Sequence, residues 1–322
     1  MKKYLVTGAA GFIGFHISKA LLARGDSVTG YDNLNEYYDV SLKHKRLDQL
    51  KEYSHFDFVK GALEDVTLVS ETVRRGFDVI IHLAAQAGVR YSLEHPETYI
   101  YSNLVGTFNI IEAAKANNIS HVLFASSSSV YGANEKTPFS VDDRTDSPVT
   151  LYAATKKSNE LMAYSYSHLF GIPITGLRFF TVYGPFGRPD MALFKFTKNI
   201  LEGKPIEVYN NGDIYRDFTY IDDIVKGVVE LIGKSRALKG KPPFAVYNIG
   251  NNLPVKLLDF VSHIEDILGK KAEIIYKPMQ LGDVYKTYAD IDMLIKDTGF
   301  KPETDIKDGI RKFVDWYRNY YG

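Results

Sequence analysis

A tyrosine and a lysine four residues apart are the first candidates for chemistry in this sequence of 322 residues. Tyr152 and Lys156 lie at the predicted start of a helix, where residues four apart share one face. The ordinary pKa of a phenol, about 10, is too high for a base at neutral pH, and a neighbouring cation lowers it. Of the 23 tyrosines, Tyr152 is the one with lysine at the fourth position after it. The pair is compatible with a solvated helix face, but it predicts a proton-transfer unit if the chain supplies a cofactor and a third polar group.

A glycine-rich turn near the N-terminus predicts where a cofactor would bind. The apolar run 3–7 has the composition of a strand, and the turn with Gly8, Gly11 and Gly14 follows it directly. Beyond the turn, apolar residues recur at helical spacing as far as Gly25. Because the N–H groups of a helix N-terminus point at an anion, this strand, turn and helix can hold a pyrophosphate.

An acidic residue at the end of the second predicted strand indicates which dinucleotide binds. Asp32 follows the segment 27–31, about 20 residues beyond the glycine turn. A carboxylate there accepts hydrogen bonds from a ribose diol and repels a 2′-phosphate, although a strand-end Asp can also simply cap a turn. We therefore predict NAD rather than NADP. Three residues just beyond are candidates for the adenosine end: Asn33, Asn35 and Lys43.

Strands alternate with helices through the first half of the chain, which predicts an α/β protein with a doubly wound parallel sheet, a Rossmann fold. From about residue 182 the alternation becomes irregular. We expect a dinucleotide-binding domain over 1–181, with returning segments near 217–250, and a smaller C-terminal substrate-binding lobe over 182–322. The predicted strands of the sheet span 3–7, 27–31, 56–61, 78–85, 121–125 and 174–180.

Several candidate residues fall at the carboxyl ends of these strands, where ligands of such sheets bind. Small residues at the fourth strand end would let a flat ligand approach, and a serine hydroxyl facing Tyr152 could bond the substrate oxygen that Tyr152 deprotonates. The serines are also compatible with a plain polar turn. In addition to the glycine turn and Asp32, the candidates at this edge are Leu83, Ala84, Ala85, the serine run 126–129, Phe180 and Thr181.

The second half of the chain offers candidates for substrate binding. Arg188, Lys195 and Arg216 could contact an anion, and Tyr209 could stack on a base. Each is individually compatible with an ordinary solvated surface residue.

Composition narrows the classes of protein. The formal net charge is zero and the pI is about 7.1, which provides no electrostatic reason to expect nucleic acid or an anionic membrane. There is no cysteine, and no histidine pair has the spacing of a local metal site, so we predict no metal. No apolar run approaches the length of a spanning helix or of a secretory signal, so we expect a cytoplasmic protein without a membrane partner.

Three motifs together resemble the extended short-chain dehydrogenase/reductases that act on nucleotide sugars: the turn 7–14, the Ser127 region, and the pair Tyr152 and Lys156. Within that group, longer segments are similar to UDP-glucuronate 4-epimerases. These segments are 32–39, 82–92 and 179–192.

The resemblance implies a mechanism with NAD tightly bound. Tyr152 would take the proton of the sugar 4-hydroxyl, Ser127 would hydrogen-bond the same oxygen, and Lys156 would hold the nicotinamide ribose and lower the pKa of Tyr152. Hydride would pass from sugar C4 to NAD and return to the other face of a 4-keto intermediate. That intermediate is a β-keto acid prone to lose carbon dioxide, so hydroxyl groups of the serine run and Thr181 are expected to hold its carboxylate out of alignment.

The resemblance also implies two sets of binding residues. Ala62 stands where the family often has an acidic adenine contact, so the backbone at Leu63 would serve instead, and Gln280 stands where related hexose epimerases have an arginine. The cofactor set is Gly8, Gly11, Phe12, Ile13, Gly14, Asp32, Asn33, Asn35, Lys43, Leu63, Leu83, Ala84, Ala85, Asn103, Tyr152, Lys156 and Phe180. The substrate set is Gly88, Arg90, Ser127, Ser128, Thr181, Arg188, Tyr209, Arg216, Gln280 and Asp283.

Alternatives remain open at this point. A decarboxylase that makes a UDP-pentose differs only in how it handles the same intermediate, and a 4-epimerase of a neutral UDP-hexose is the next rival. A sugar 4,6-dehydratase would need an acidic pair where the chain has serines, and intact catalytic residues argue against a non-enzymatic NAD sensor. The family resemblance further implies a homodimer paired through the helices near 96–117 and 150–170.

Overall fold

The structure, a computed structural model, describes residues 1–234, 241–280 and 282–322. The strands of this part of the chain are β1 (Lys3–Thr7), β2 (Ser27–Asp32), β3 (Phe56–Lys60), β4 (Val79–His82), β5 (His121–Ser127), β6 (Ile174–Phe179), β7 (Thr181–Tyr183), β8 (Ile206–Tyr209), β9 (Tyr215–Tyr220), β10 (Phe244–Ile249), β11 (Pro254–Lys256) and β12 (Ile274–Lys277).

The helices of the same part flank the sheets. They are α1 (Phe12–Ala23), α2 (Val40–Lys51), α3 (Val66–Val73), α4 (Tyr91–Glu94), α5 (Pro96–Tyr99), α6 (Gly106–Ala116), α7 (Leu151–Phe170), α8 (Ala192–Glu202), α9 (Ile221–Leu231), α10 (Leu257–Leu268), α11 (Asp292–Thr298) and α12 (Ile306–Tyr321), with a π-helix at Ile100–Val105 and 3₁₀ turns at Ser128–Tyr131 and Asn210–Gly212.

Seven strands form one parallel sheet in the order β10-β6-β5-β4-β1-β2-β3. The order reverses direction beside β1, which places a crevice at the carboxyl ends of β1 and β4. The predicted doubly wound parallel sheet is therefore confirmed. β10 returns to this sheet from the second half of the chain, whereas β7, β9 and β11 form a separate sheet and β8 pairs with β12. The predicted domain boundary near residue 181 stays a prediction.

Alternating side chains of the central strands explain why helices cover both faces of the sheet. Tyr4 and Val6 of β1 belong to one buried apolar cluster, while Leu5 between them belongs to another. Successive side chains of a strand point to opposite faces, so a strand that is apolar throughout has to be covered on both sides.

The predicted long helix over 96–117 is interrupted. The short α5 is followed by the π-helix at Ile100–Val105, and regular α-helix resumes only at Gly106. Within the π-helix the side chain of Asn103 is completely buried and bonds the backbone of Gln86 and the hydroxyl of Thr155. An inserted residue of this kind changes which side chains face inward, and hydrophobic periodicity does not reveal it.

Two properties of the described residues bear on function. Within the three ranges above, no helix combines the length and the apolar character needed to cross a bilayer. Over the same ranges, histidine, aspartate and glutamate side chains form no group of three or more that could hold a metal ion.

Candidate active site

A cleft of about 260 Å³ follows the carboxyl ends of the parallel strands. It begins beside the turn between β1 and α1 and reaches the start of α7, so it joins the two motifs that the sequence singles out. The predicted residues that line it are Gly8, Gly11, Phe12, Ile13, Gly14, Asp32, Asn33, Asn35, Lys43, Leu63, Leu83, Ala84, Ala85, Ser127, Tyr152, Lys156, Phe180 and Arg188.

The turn between β1 and α1 is packed so closely that its glycines cannot be replaced. A Cβ on Gly14 would lie 2.0 Å from the carbonyl oxygen of Gly8, and Gly8 itself has a φ of +74°. Gly11 precedes α1, and no side chain among the described residues caps the N–H groups of that helix. These N–H groups face the cleft with the positive end of the helix dipole, which fits the pyrophosphate of NAD.

The carboxylate of Asp32 is held in place at the end of β2. Its Oδ2 accepts a hydrogen bond from the N–H of Ala10 at 3.1 Å, and its Oδ1 accepts one from Leu34 at 2.9 Å. Burial raises the pKa of Asp32, while the backbone N–H groups and the charge of Lys43 lower it. Each oxygen keeps a lone pair for a ribose hydroxyl, so the site fits the adenosine ribose of NAD.

Lys43 and Asn35 organise each other at the rim of the cleft. Lys43 Nζ donates to both Oδ1 and the backbone O of Asn35 at 2.6 Å. Asn33 accepts from the N–H of Asn35 at 3.1 Å, so three predicted adenosine contacts form one network. Near them, Glu64 lines the cleft from the loop after β3. It lies two residues beyond Ala62, which occupies the position where the family often has an acidic residue.

The phenol of Tyr152 lies at the inner end of the cleft. Burial raises its pKa, while hydrogen bonding to Ser127 and the charge of Arg188 lower it. Lys156 Nζ donates to the backbone O of Ala125 at 2.8 Å and lies 6.0 Å from the centre of the Tyr152 ring. Arg188 is a cation that lowers the pKa of Tyr152 in this structure, and the role of Lys156 in lowering the same pKa stays a prediction.

The surroundings of Lys156 determine both its pKa and the position of its ammonium group. Burial lowers its pKa to about 8, so its ammonium group still carries its proton at neutral pH. Its hydrogen bond to Ala125 holds the ammonium at the end of β5, beside the cleft. An ammonium there can donate to further acceptors, such as ribose hydroxyls, because it has three N–H bonds.

Helix α7 is fixed at its N-cap and again at Glu160, and these contacts determine where Tyr152 lies. The Thr150 hydroxyl accepts from the N–H of Ala153 at 3.2 Å, and so caps the helix. Two turns further on, Glu160 forms a buried bidentate ion pair with Arg178 of β6, with both N–O distances at 2.8 Å. Ser126 of β5 donates to the same carboxylate at 2.6 Å. The helix is thus bonded to the two strands beneath it.

A second cavity, of about 560 Å³, adjoins the cleft on the side of β8 and β9. Arg216 of β9 forms an ion pair with Asp283 at 2.5 Å, and the guanidinium of Arg90 lies 4.8 Å from the ring centre of Tyr209. Positive charge next to an aromatic ring suits a nucleoside diphosphate. The predicted substrate residues that line it are Gly88, Arg90, Thr181, Arg188, Tyr209, Arg216 and Asp283, and the candidate Lys195 lines it too.

Three predicted contacts lie elsewhere. The amide of Asn103 is buried behind the cleft wall, and its bonds to Gln86 and Thr155 give it a supporting place rather than a cleft-lining one. Ser128 and Gln280 are half-buried outside the residues that line either cavity. Gln280 instead accepts the N–H of Asp283 through its backbone O.

Sequence reasoning missed several cavity-lining residues. Tyr37 and Met191 line both cavities, Gln86 lines the cleft and Asp190 lines the second cavity. Both Tyr37 and Asp190 belong to segments that the family resemblance had already marked, 32–39 and 179–192, so the local sequence contained a signal. Their contact across 153 positions had none.

The parallel sheet, the uncapped helix after the glycine turn and the cleft that ends at Ser127, Tyr152 and Lys156 define an enzyme of the short-chain dehydrogenase/reductase class. Residues 4–250 match the model of the NAD dependent epimerase/dehydratase family. The chain belongs to that family.

Relatives of known name cover the chain from end to end. It is 53% identical to Protein CapI of Staphylococcus aureus, over 99% of each chain. It is 49% identical to the probable UDP-glucuronate 4-epimerase of Rhizobium meliloti, over 99% of this chain and 98% of that protein.

A solved structure is similar throughout as well. The UDP-glucuronic acid 4-epimerase from Bacillus cereus, in complex with UDP-glucuronic acid and NAD, superimposes with a TM-score of 0.92 at 36% identity and covers 99% of this chain and 100% of that one.

Proposed function

We propose that this protein catalyses the NAD-dependent 4-epimerisation of UDP-glucuronate to UDP-galacturonate. The observation that carries the proposal is the continuity of the two cavities. Arg188 lines both, so a sugar joined to a nucleotide beside Arg216 can reach Tyr152 at the inner end of the cofactor cleft. Relatives named as UDP-glucuronate 4-epimerases, at 48–51% identity, support the uronate as substrate.

The residues of the cleft have separate roles in this proposal. Tyr152 takes the proton of the sugar 4-hydroxyl and later returns one, while the hydroxyl of Ser127 bonds the same oxygen. Lys156 holds the ribose next to the nicotinamide and contributes positive charge. The chemistry that NAD supplies when bound is reversible hydride transfer. The 4-keto sugar formed from the substrate turns over between the two transfers, so the configuration at C4 is inverted.

The carboxylate of the substrate needs its own binding groups. A 4-keto uronate loses carbon dioxide when its carboxylate bond aligns with the ketone, so the site has to keep the group out of that alignment. Thr181 and Arg188 lie in the second cavity and Ser127 in the cleft, on either side of the place where the sugar has to lie. We assign the carboxylate to these residues.

The direct test is proton NMR of the purified protein with UDP-glucuronate and no added NAD. We expect UDP-galacturonate to appear without release of carbon dioxide, from an enzyme that keeps its cofactor through purification. A UDP-pentose or a free 4-keto pentose would identify a decarboxylase. The absence of any conversion, even with NAD supplied, would contradict a uronate substrate and direct the search to neutral UDP-hexoses.

We also propose a homodimer formed through the π-helix, α6 and α7. Tyr101, Phe108, Leu161 and Leu169 are 44–66% exposed although they are large and apolar. Leu161 and Leu169 lie eight residues apart on one face of α7, and α6 packs against α7, so the patch is continuous with a helix pair. Two such pairs can form a four-helix bundle across a two-fold axis.

Sedimentation velocity at micromolar concentration tests the dimer. We expect a dimer for the unchanged protein and a monomer for Leu161→Glu, because a buried charge at the interface is costly. Leu253→Glu is the matched control, since Leu253 is 63% exposed outside these helices. A monomer for the unchanged protein would contradict the proposal.

A cytoplasmic location stays a prediction, to be tested by cell fractionation.

A further inference from the structure

The guanidinium of Arg188 is bound by a neighbouring carboxylate that the sequence analysis did not single out. Arg188 Nε donates to Asp190 Oδ1 at 3.0 Å, and Nη2 donates to Asp190 Oδ2 at 2.5 Å. Both side chains are about one-quarter exposed, at 23% and 25%, so the pair lies at the cavity wall rather than in bulk solvent. The pair is bidentate, which fixes the plane of the guanidinium as well as its position.

We propose that Asp190 is a positioning residue that orients Arg188 toward the carboxylate of the sugar, and that Tyr37 from the other side of the cleft holds Asp190. The proposal rests on the proposed function, because it assigns the oriented arginine to a uronate. By taking the N–H of Nε and one N–H of Nη2, Asp190 leaves both N–H groups of Nη1 and the second N–H of Nη2 for a substrate carboxylate. A guanidinium has three nitrogens in one plane, so two fixed nitrogens determine where the third points.

Tyr37 connects this pair to the nucleotide-binding half of the chain. Its hydroxyl donates to Asp190 Oδ2 at 3.1 Å, although Tyr37 follows β2 and Asp190 precedes α8. The ring packs edge-on against Tyr91 at 4.8 Å between centres. A Cβ on Gly88 would lie 2.5 Å from the Tyr37 hydroxyl, so the phenol fits here because Gly88 has no side chain. The side chain of Tyr37 is therefore held between Tyr91 and the backbone of Gly88.

The backbone that carries Arg188 is anchored as well. Phe186 has a φ of +57°, and its carbonyl accepts from Arg46 Nη2 at 2.6 Å. The imidazole Nε2 of His16 lies 2.9 Å from the carbonyl of Pro185. With the loop backbone bonded to α1 and α2, the remaining freedom is in the Arg188 side chain itself, and Asp190 removes that freedom.

The charge state of the network is stable near neutral pH. Burial raises the pKa of Asp190, but the charge of Arg188 and the hydrogen bonds from Arg188 and Tyr37 outweigh it and leave the pKa below its ordinary value. Burial and the charge of Asp190 raise the pKa of Tyr37 to about 12, so its phenol remains a donor. The ion pair and its hydrogen bond therefore persist while substrate binds.

The test compares Asp190→Asn with the unchanged enzyme. An amide has no charge and a single acceptor oxygen, so it cannot form the bidentate pair. We therefore expect the KM for UDP-glucuronate to rise about tenfold with little change in kcat, as for lost uniform binding. The dissociation constant for UDP, which lacks the glucuronate, is expected to stay the same. Tyr37→Phe removes one hydrogen bond and is expected to raise KM in the same direction by about threefold. Asp57→Asn is the matched control, because it breaks the exposed pair with Arg75.

A double-mutant cycle with Arg188→Met decides whether Asp190 acts through Arg188. We expect Asp190→Asn to have no further effect on KM when Arg188 is already replaced. An equal rise in KM in both backgrounds would overturn the proposal, and so would an unchanged KM for Asp190→Asn alone. Loss of UDP affinity together with the rise in KM would also overturn it. Failure of the proposed function is a separate result, because the unchanged enzyme would then not convert UDP-glucuronate.

Discussion

Tyr152 is placed between groups that act on it in opposite directions. Burial favours the neutral phenol, whereas Ser127 and Arg188 favour the phenolate. A base that is neutral before substrate binds has to lose its proton within a closed site, so the neighbouring hydroxyl and guanidinium contribute directly to the rate.

Replacing Tyr152 by phenylalanine is expected to separate catalysis from cofactor binding. Removal of the hydroxyl takes away the proton-transfer group, so we expect kcat to fall by about 10³-fold or more. The ring still fills the cleft wall, so the amount of NAD bound to purified protein is expected to be unchanged. Conversion is measured by proton NMR and bound NAD by absorbance after denaturation.

Tyr276→Phe is the control for this substitution, since Tyr276 lies exposed on β12 and away from both cavities. Turnover by the Tyr152 variant at a rate near that of the control would contradict the catalytic role.

At the scale of elements, the buried ion pair of Glu160 and Arg178 positions α7 against the sheet. Both side chains are 4% exposed, and the carboxylate also accepts from Ser126. Arg178 further donates to the phenol of Tyr131, which bonds Asn248 of β10. One buried polar network thus connects α7, β5, β6 and β10. Because such a network is satisfied only in one arrangement, it fixes the helix relative to the sheet.

Breaking this pair is expected to be costly. Glu160→Gln leaves the guanidinium of Arg178 buried without its counter-charge, which typically lowers the free energy of unfolding by about 3–5 kcal/mol. Glu230→Gln, in an exposed pair with Lys234, is expected to change it by about 1 kcal/mol or less. Urea unfolding followed by circular dichroism measures both. Equal stability of the two variants would show that the buried pair does not hold α7.

At the scale of the whole molecule, buried histidines connect stability to pH. His82 lies between the hydroxyls of Thr7 and Thr107, at 2.8 and 3.1 Å, and His121 lies 2.9 Å from that of Thr175. Burial lowers the pKa of His82 to about 3 and those of His16 and His121 to about 4. All three therefore remain neutral in the folded protein at mildly acidic pH.

We expect stability to fall as the pH drops from 6.5 toward 4. An unfolded histidine binds a proton near pH 6.5, whereas these folded ones do not, so the unfolded state gains protons over this range and is favoured. Each of the three histidines lowers the free energy of unfolding by about 1.4 kcal/mol per pH unit between its unfolded and folded pKa values. The free energy of unfolding, measured in urea at pH 6.5, 5.5 and 4.5, gives the slope. The slope is expected to be smaller for His82→Gln and unchanged for His44→Gln, which alters an exposed histidine. Equal slopes for the His82→Gln and His44→Gln variants would refute the buried histidines as the origin of this pH dependence.

The sequence by itself determined the local pieces and their chemistry. Gly8, Gly11 and Gly14 could be recognised because a turn that tight requires glycine wherever it occurs. The strands of the parallel sheet could be predicted from their apolar runs, and the family could be recognised from segments such as 82–92. The spacing of Tyr152 and Lys156 likewise depends only on helix geometry.

Only the tertiary structure decided which of these pieces meet. It placed Arg188 among the groups that act on the Tyr152 phenol, and it brought Tyr37 to Asp190 across 153 positions. It also turned Asn103 behind the cleft through a π-helix that periodicity does not show. The physical reason is that pKa values, ion pairs and burial depend on distances between segments that the packed sheet sets, while sequence spacing determines distances only within one helix or strand.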